Sequence, residues 1–190
     1  MSSSENQSIS GFHGGVAGSV AVCAAGQLSV IQGAQLLLSD PSVNIVLCGA
    51  TDTPIHPVAF SSFSKIKALC KKYPSPAEAS RPFDKLRDGF VMAEGAGMIC
   101  LEDLDHAIAR KAPILAELRG FSTSGLFLFF FWLFAALLNS PLGDGYHMVQ
   151  PREDGFGATF AMEKALASAG LSAENIDYVA AHATSTPLGK

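Results

Sequence analysis

Charge is what this chain has least of. Lys, Arg, Asp and Glu make up 16% of its 190 residues, and the net charge is −4. No basic block occurs, which excludes the electrostatic footprint of a nucleic-acid binder. The four cysteines, Cys23, Cys48, Cys70 and Cys100, lie more than twenty residues apart. Without a CxxC pair or a His–Cys cluster, neither a zinc site nor a small disulfide scaffold is expected, and reduced thiols are the expectation. Residues 1–7 hold no apolar signal core and no Arg-rich amphipathic stretch, so no targeting peptide is visible. No apolar run reaches the roughly 20 residues that a membrane-spanning helix needs.

What is present is small and apolar. Hydrophobic residues make up 48% and glycine contributes 18 positions, a composition that suits a mostly buried α/β protein. The length suffices for one sizeable core. Residues 16–22 read as a buried strand, and 24–38 as a helix with Leu28, Ile31, Gln35 and Leu38 at helical spacing. Residues 43–47 form a second buried strand. Strand, helix and strand in about thirty residues predict a parallel βαβ unit.

Residues 57–72 predict an amphipathic helix, and 71–87, with Pro74, Pro76 and Pro82, a loop. A Gly-interrupted strand pair is expected over 89–101, a short helix over 102–110 and a strand over 114–122. A helix over 157–169 closed by Gly170 and a last buried strand over 176–181 complete the pattern. Residues 126–138 are thirteen consecutive apolar residues holding five of the thirteen Phe and the only Trp. Their uniform bulk leaves three readings: a buried core helix, a membrane-dipping hairpin, or a translated intron whose pyrimidine-rich codons give Phe, Leu, Ser and Pro.

Two places carry possible chemistry. Cys23 ends the first apolar run and opens a helix, where free N–H groups and the helix dipole favour a thiolate. A lone Cys in an apolar run is more often a small buried hydrophobe, the reading given to Cys48 and Cys100. Cys70 reads as half-exposed and inert. His182 ends a predicted strand and opens His-Ala-Thr-Ser-Thr-Pro, at the carboxyl edge where α/β folds place their sites; a structural histidine is its bland alternative. The Gly-rich stretches 11–18 and 89–97 lack the residues of a phosphate loop or dinucleotide fingerprint.

Residues 81–97, RPFDKLRDGFVMAEGAG, and residues 182–189, HATSTPLG, resemble two motifs of the β-ketoacyl-acyl-carrier-protein synthases. Residues 48–52, CGATD, are similar to that family's GGT(E/D) turn, and Lys67-Ala68-Leu69 to its ARALS helix end. Cys23 stands at the distance from these expected of the nucleophile, with one extra residue near Pro41. Around it this chain has Ala21-Val22-Cys23-Ala24-Ala25-Gly26, where the family carries hydroxyl residues. Removing residues 126–143 restores the family pattern without a gap.

The resemblance implies an α/β, thiolase-like, layered αβαβα fold, incomplete in this chain. It divides the sequence into a disordered 1–10, a nucleophile-bearing half over 11–125, an atypical insert over 126–143 and the start of the second half over 144–190. It implies decarboxylative condensation of an acyl thioester with malonyl-ACP, with Cys23 as acyl acceptor and His182 assisting at the enolate oxygen. Thr184 and Thr186 match the hydroxyls that bind phosphopantetheine. Lys65 and Lys67 lie where the family meets the acidic carrier protein, although a solvated helix face explains them equally. Glu94 and Arg81 match positions of structural type.

The family needs no cofactor or metal beyond the 4′-phosphopantetheine of acyl carrier protein. Its members work as homodimers in the mitochondrial matrix, the plastid or the cytoplasm. Its second histidine, lysine and Gly/Phe loop are expected beyond Lys190, and roughly its first third before Gly11, so this stretch alone is expected to be inactive. The rivals are a thiolase-type CoA acyltransferase and a non-catalytic fragment.

Overall fold

The computed structural model describes residues 12–123 and 152–187. The apolar insert and the expected disordered start lie outside the described residues. Two compact units form, Met1–Ala50 with Met98–Asn175, and Thr51–Gly97 with Ile176–Lys190.

A 3-10 turn, Val22–Ala24, leads into α1, Ala25–Ser39. Its buried residues are Leu28, Gly33 and Ala34; of the expected stripe Leu28 is buried, Ile31 is half-buried, and Gln35 and Leu38 are exposed. Gly33 is required there. A Cβ at that position would lie 2.2 Å from Cys48 Sγ and 3.2 Å from Val46 Cγ1. The strand beneath is β1, Ile45–Asp52, and the Gly49 amide donates to Ser29 Oγ at 3.1 Å. The stretch Val22–Ser39 has the length and apolar composition of a membrane-segment candidate. Its close glycine packing on β1 makes it the cover of a sheet instead.

The second strand, β2, Gly95–Glu102, pairs with β1. The Asp103 amide, just after β2, donates to the Asn44 carbonyl, just before β1, at 3.0 Å. The two strands are therefore antiparallel, and only 95–102 of the expected pair over 89–101 is strand. Among the described residues the predicted parallel βαβ unit is not formed, because residues 16–22 take no strand. Cys100, expected to be buried, is exposed; among the described residues β2 is paired with β1 alone and its residues 95–100 are exposed.

Helix α2, Pro57–Lys65, starts with His56 as N-cap, whose Nδ1 accepts from the Val58 amide at 3.3 Å. It ends seven residues before the expected 72 because Lys67 turns left-handed, φ +57°. The Ala68 amide then reaches the Phe63 carbonyl and the Lys67 amide that of Ser64, the paired bonds of a Schellman ending. Helix α3, Leu104–Ala109, capped by Asp103, ends the same way at Lys111. Helix α4, Phe156–Ala169, ends on Gly170 at φ +65°, as the sequence predicts.

Residues 114–122 are not a strand. Within their unit the Phe121 amide donates to Ser168 Oγ on α4 at 3.0 Å. A Cβ at Gly120 would lie 2.6 Å from the Ala165 carbonyl oxygen, so a helix side takes the place of a strand partner. Residues 176–181 are likewise neither strand nor buried, with Tyr178 82% exposed. Both segments have strand composition, but a strand exists only where a neighbour accepts its backbone bonds.

Candidate functional site

Cys23 sits in the middle of the 3-10 turn that opens α1, and its thiol is exposed. The turn is closed by the Ala24 amide on the Ala21 carbonyl at 2.9 Å. Val22, immediately before the thiol, holds φ +48° and is 84% exposed. A β-branched residue disfavours that region, at a cost of about 1–3 kcal/mol. A strained residue before an exposed nucleophile at a helix start is the geometry that lifts a side chain out of its chain path. Cys48 is the opposite case. It is 1% exposed, and burial, with Cys100 nearby, pushes its thiol pKa up, so it is the small buried residue the sequence suggested. Cys70 is half-buried, also as expected.

Cys23 belongs to the first unit; His182, Thr184, Thr186, Lys65 and Lys67 belong to the second. In the second unit residues 182–187 form an irregular segment with left-handed Ala183, φ +31°, and Ser185, φ +67°. His182 is exposed rather than closing a buried strand, while Thr184 and Thr186 are half-buried. The two threonine hydroxyls are brought together at 3.1 Å. Lys65 and Lys67 are exposed on the last turn and exit of α2.

The segment is held from the arginine-bearing motif of the same unit. Ser185, 1% exposed, accepts the Arg81 amide on Oγ at 3.1 Å. Arg87 donates Nε to the Thr186 carbonyl at 3.0 Å, Nη2 to the Pro187 carbonyl at 2.7 Å and Nη1 to that of Asp84 at 3.1 Å. The Arg81 guanidinium bonds the Lys72 carbonyl, and among the described residues its buried Nε finds no acceptor.

The motif's neighbours brace it. Asp88 accepts the Lys71 and Lys72 amides at 2.8 and 3.0 Å, and these bonds, Lys71 first, hold its carboxyl below the usual range. Gly89 lets the chain pass Leu69 and Cys70 backbone atoms that a Cβ would meet at 2.4 and 2.5 Å. Phe90 then exchanges backbone bonds with Ala68 and Cys70 and sets its ring edge-on to Phe63 at 5.1 Å. Glu94 accepts the Ile55 amide at 3.1 Å, consistent with the structural reading of Arg81 and Glu94. Sequence reasoning did not single out Arg87, Ser185 or Val22. An arginine in a Pro- and Gly-rich loop is visible in a sequence, but its acceptors, about a hundred residues on, are not.

The β-ketoacyl synthase N-terminal domain family matches residues 4–107, and the β-ketoacyl synthase C-terminal domain family residues 135–190. The mitochondrial 3-oxoacyl-(acyl-carrier-protein) synthase of Arabidopsis thaliana is 42% identical over 94% of this chain and 35% of its own length. A chloroplastic synthase II of the same plant is 40% identical over 88% of this chain and 27% of its own length. Synthase 2 of Vibrio cholerae is 42% identical over 76% of the chain and 30% of its own.

Among solved structures, the ketosynthase complex of a type II PKS acyl-carrier protein superposes with TM-score 0.75 at 30% identity. It covers 88% of this chain and 36% of that one. A β-ketoacyl synthase from Burkholderia phymatum gives 0.71 at 32% identity over the same shares. The chain spans about a third of the length of the curated relatives it matches. Its fold is the α/β, thiolase-like fold of ketosynthases. With its N-terminal domain match alone extending over residues 4–107 of 190, the chain belongs to the β-ketoacyl synthase family.

Proposed function

We propose that this chain supplies the acyl-accepting and pantetheine-binding portions of a 3-oxoacyl-(acyl-carrier-protein) synthase. The exposed Cys23 behind the strained Val22 carries the reading. Its thiolate attacks the thioester carbonyl of acyl-ACP, forming the Cys23 thioester and releasing the carrier's thiol. Malonyl-ACP then loses CO₂, and its enolate carbon attacks the Cys23 thioester. A carbon–carbon bond forms and the Cys23 thiolate leaves.

His182 stabilises the enolate oxygen, and Thr184 and Thr186 hydrogen-bond the amides of the phosphopantetheine arm. No metal or further cofactor takes part. Acyl carrier protein is the partner, met by Lys65 and Lys67, and the whole enzyme is a homodimer. The relatives named mitochondrial and chloroplastic favour an organelle over the cytoplasm. The domain division at 125 and 143 separates the nucleophile-bearing half from the start of the second.

A second reading has its own support: the chain spans about a third of its relatives. Under that reading the stretch by itself is a non-catalytic fragment of such an enzyme. Incubation with acyl-ACP and peptide mass spectrometry separates the two. An acyl group on Cys23, lost in Cys23→Ala, is expected under the first. Acylation of Cys48, Cys70 or Cys100 sinks the nucleophile assignment, and no acylation at all supports the inert fragment.

A further inference from the structure

Thr184 and Thr186 can present their hydroxyls as a pair only if the backbone between them keeps its shape. That shape is unfavourable on its own, since Ala183 and Ser185 both stand in the left-handed region without being glycine. Residues 182–187 contain no regular element that could enforce it. The enforcement comes from outside the segment. Arg87 forks across two consecutive carbonyls, those of Thr186 and Pro187, and ties its third nitrogen to Asp84. Ser185 is driven inward to take the Arg81 amide and becomes the buried pivot between the two threonines.

We infer that Arg87, with Ser185, is a positioning residue: a clamp that holds the Thr184–Thr186 hydroxyl pair in the geometry that receives the amide groups of a pantetheine arm. This rests on the pantetheine reading given above. Arg87 itself directs its described bonds to backbone carbonyls and acts through the segment it holds. The fork explains the choice of arginine. A guanidinium reaches two carbonyls in one plane, whereas a lysine ammonium keeps the charge without the two-pronged geometry. The clamp also gives the Arg81–Gly89 motif a purpose that spacing alone does not reveal.

Hydrogen exchange by mass spectrometry on the dilute full chain, with and without pantetheine, tests the clamp. Charge-assisted bonds of this kind are expected to slow local opening roughly ten- to hundredfold. Arg87→Ala should therefore speed exchange in the peptide spanning 182–187 by about that factor and abolish the protection that pantetheine confers there. Exchange in α2 should stay unchanged. Arg87→Lys should fall between the two, because it restores charge but not the fork.

If Arg87→Ala unfolds the whole unit, Ser185→Ala decides, since it removes only the acceptor for one amide. Faster exchange at the Arg81 amide together with 182–187 supports the clamp, and unchanged exchange over 182–187 overturns it. Equal exchange in wild type and Arg87→Ala likewise overturns it. A wild-type chain that exchanges slowly over 182–187 but gains no protection from pantetheine keeps the clamp and defeats the pantetheine reading, so the two failures are separable.

Discussion

The two units hold their candidate site residues by different means. Cys23 is carried by regular structure: the start of a fifteen-residue helix whose small residues press onto β1. His182, Thr184 and Thr186 lie in a segment without regular structure, and polar bonds from a distant motif supply its shape. Packing is short-ranged and volume-sensitive, so the first arrangement fails when atoms are added. Directional bonds fail when a donor is removed. One fold thus uses close packing to hold an exposed cysteine and a hydrogen-bonded clamp to hold two hydroxyls.

Glycine substitutions should break this contrast most visibly. At Gly89 a Cβ would strike backbone atoms of Leu69 and Cys70, which cannot rotate away. Gly89→Ala should therefore cost about 3 kcal/mol or more, read by denaturant unfolding, and loosen the clamp's base. At Gly33 the nearest obstruction is the Cys48 sulfur, a side-chain atom that can shift. Gly33→Ala should cost about 1–2 kcal/mol, and adding Cys48→Ala should recover part of it. A loss at Gly33 equal to that at Gly89, unrelieved by Cys48→Ala, would mean that the helix backbone itself is displaced.

Acid sharpens the same comparison with a smaller effect. In the first unit Glu102 is bonded by Arg110 at 2.6 and 2.5 Å and by His106 at 2.6 Å. These contacts, Arg110 first, bring its carboxyl from 4.5 to about 2. A lowered folded-state pKa contributes stability that is present above pH 4.5 and is lost as pH falls toward about 2. The difference in melting temperature between wild type and Glu102→Gln should shrink across that window. Salt should weaken it, because the partners are surface charges. Asp88 in the second unit is held mainly by backbone amides, so its titration, followed by NMR, should respond less to salt. Equal salt responses would show that the two carboxylates are held alike.

The smallest effect lies at the helix ends. Gly170 closes α4 in the left-handed region without strain, whereas Lys67 closes α2 in the same region with a side chain. Lys67→Gly should stabilise the second unit by up to about 1 kcal/mol, seen as a small rise in melting temperature. It should also weaken binding of acyl carrier protein if Lys67 meets that partner. A destabilised variant would show that the lysine side chain contributes more by packing than its backbone costs.

Helices and caps were legible because their bonds close within a few residues. The α1 and α4 helices and the Gly170 ending follow from local pattern, and the motifs at 81–97 and 182–189 led to the family; β1 was expected over 43–47 but runs from Ile45 to Asp52, through the stretch read as a turn. Cys23 at a helix start was readable for the same reason. Residues 16–22, 114–122 and 176–181 carry strand composition yet form none. Their composition states what a strand requires on its faces, while the existence of a strand depends on a neighbour supplied from elsewhere in the chain. Tertiary structure alone decided that β1 pairs antiparallel with β2 and that Gly33 meets the sheet. It alone decided that Arg87 reaches two carbonyls about a hundred residues away. Each of these depends on a contact between distant residues, and local composition carries no record of which distant residue will arrive.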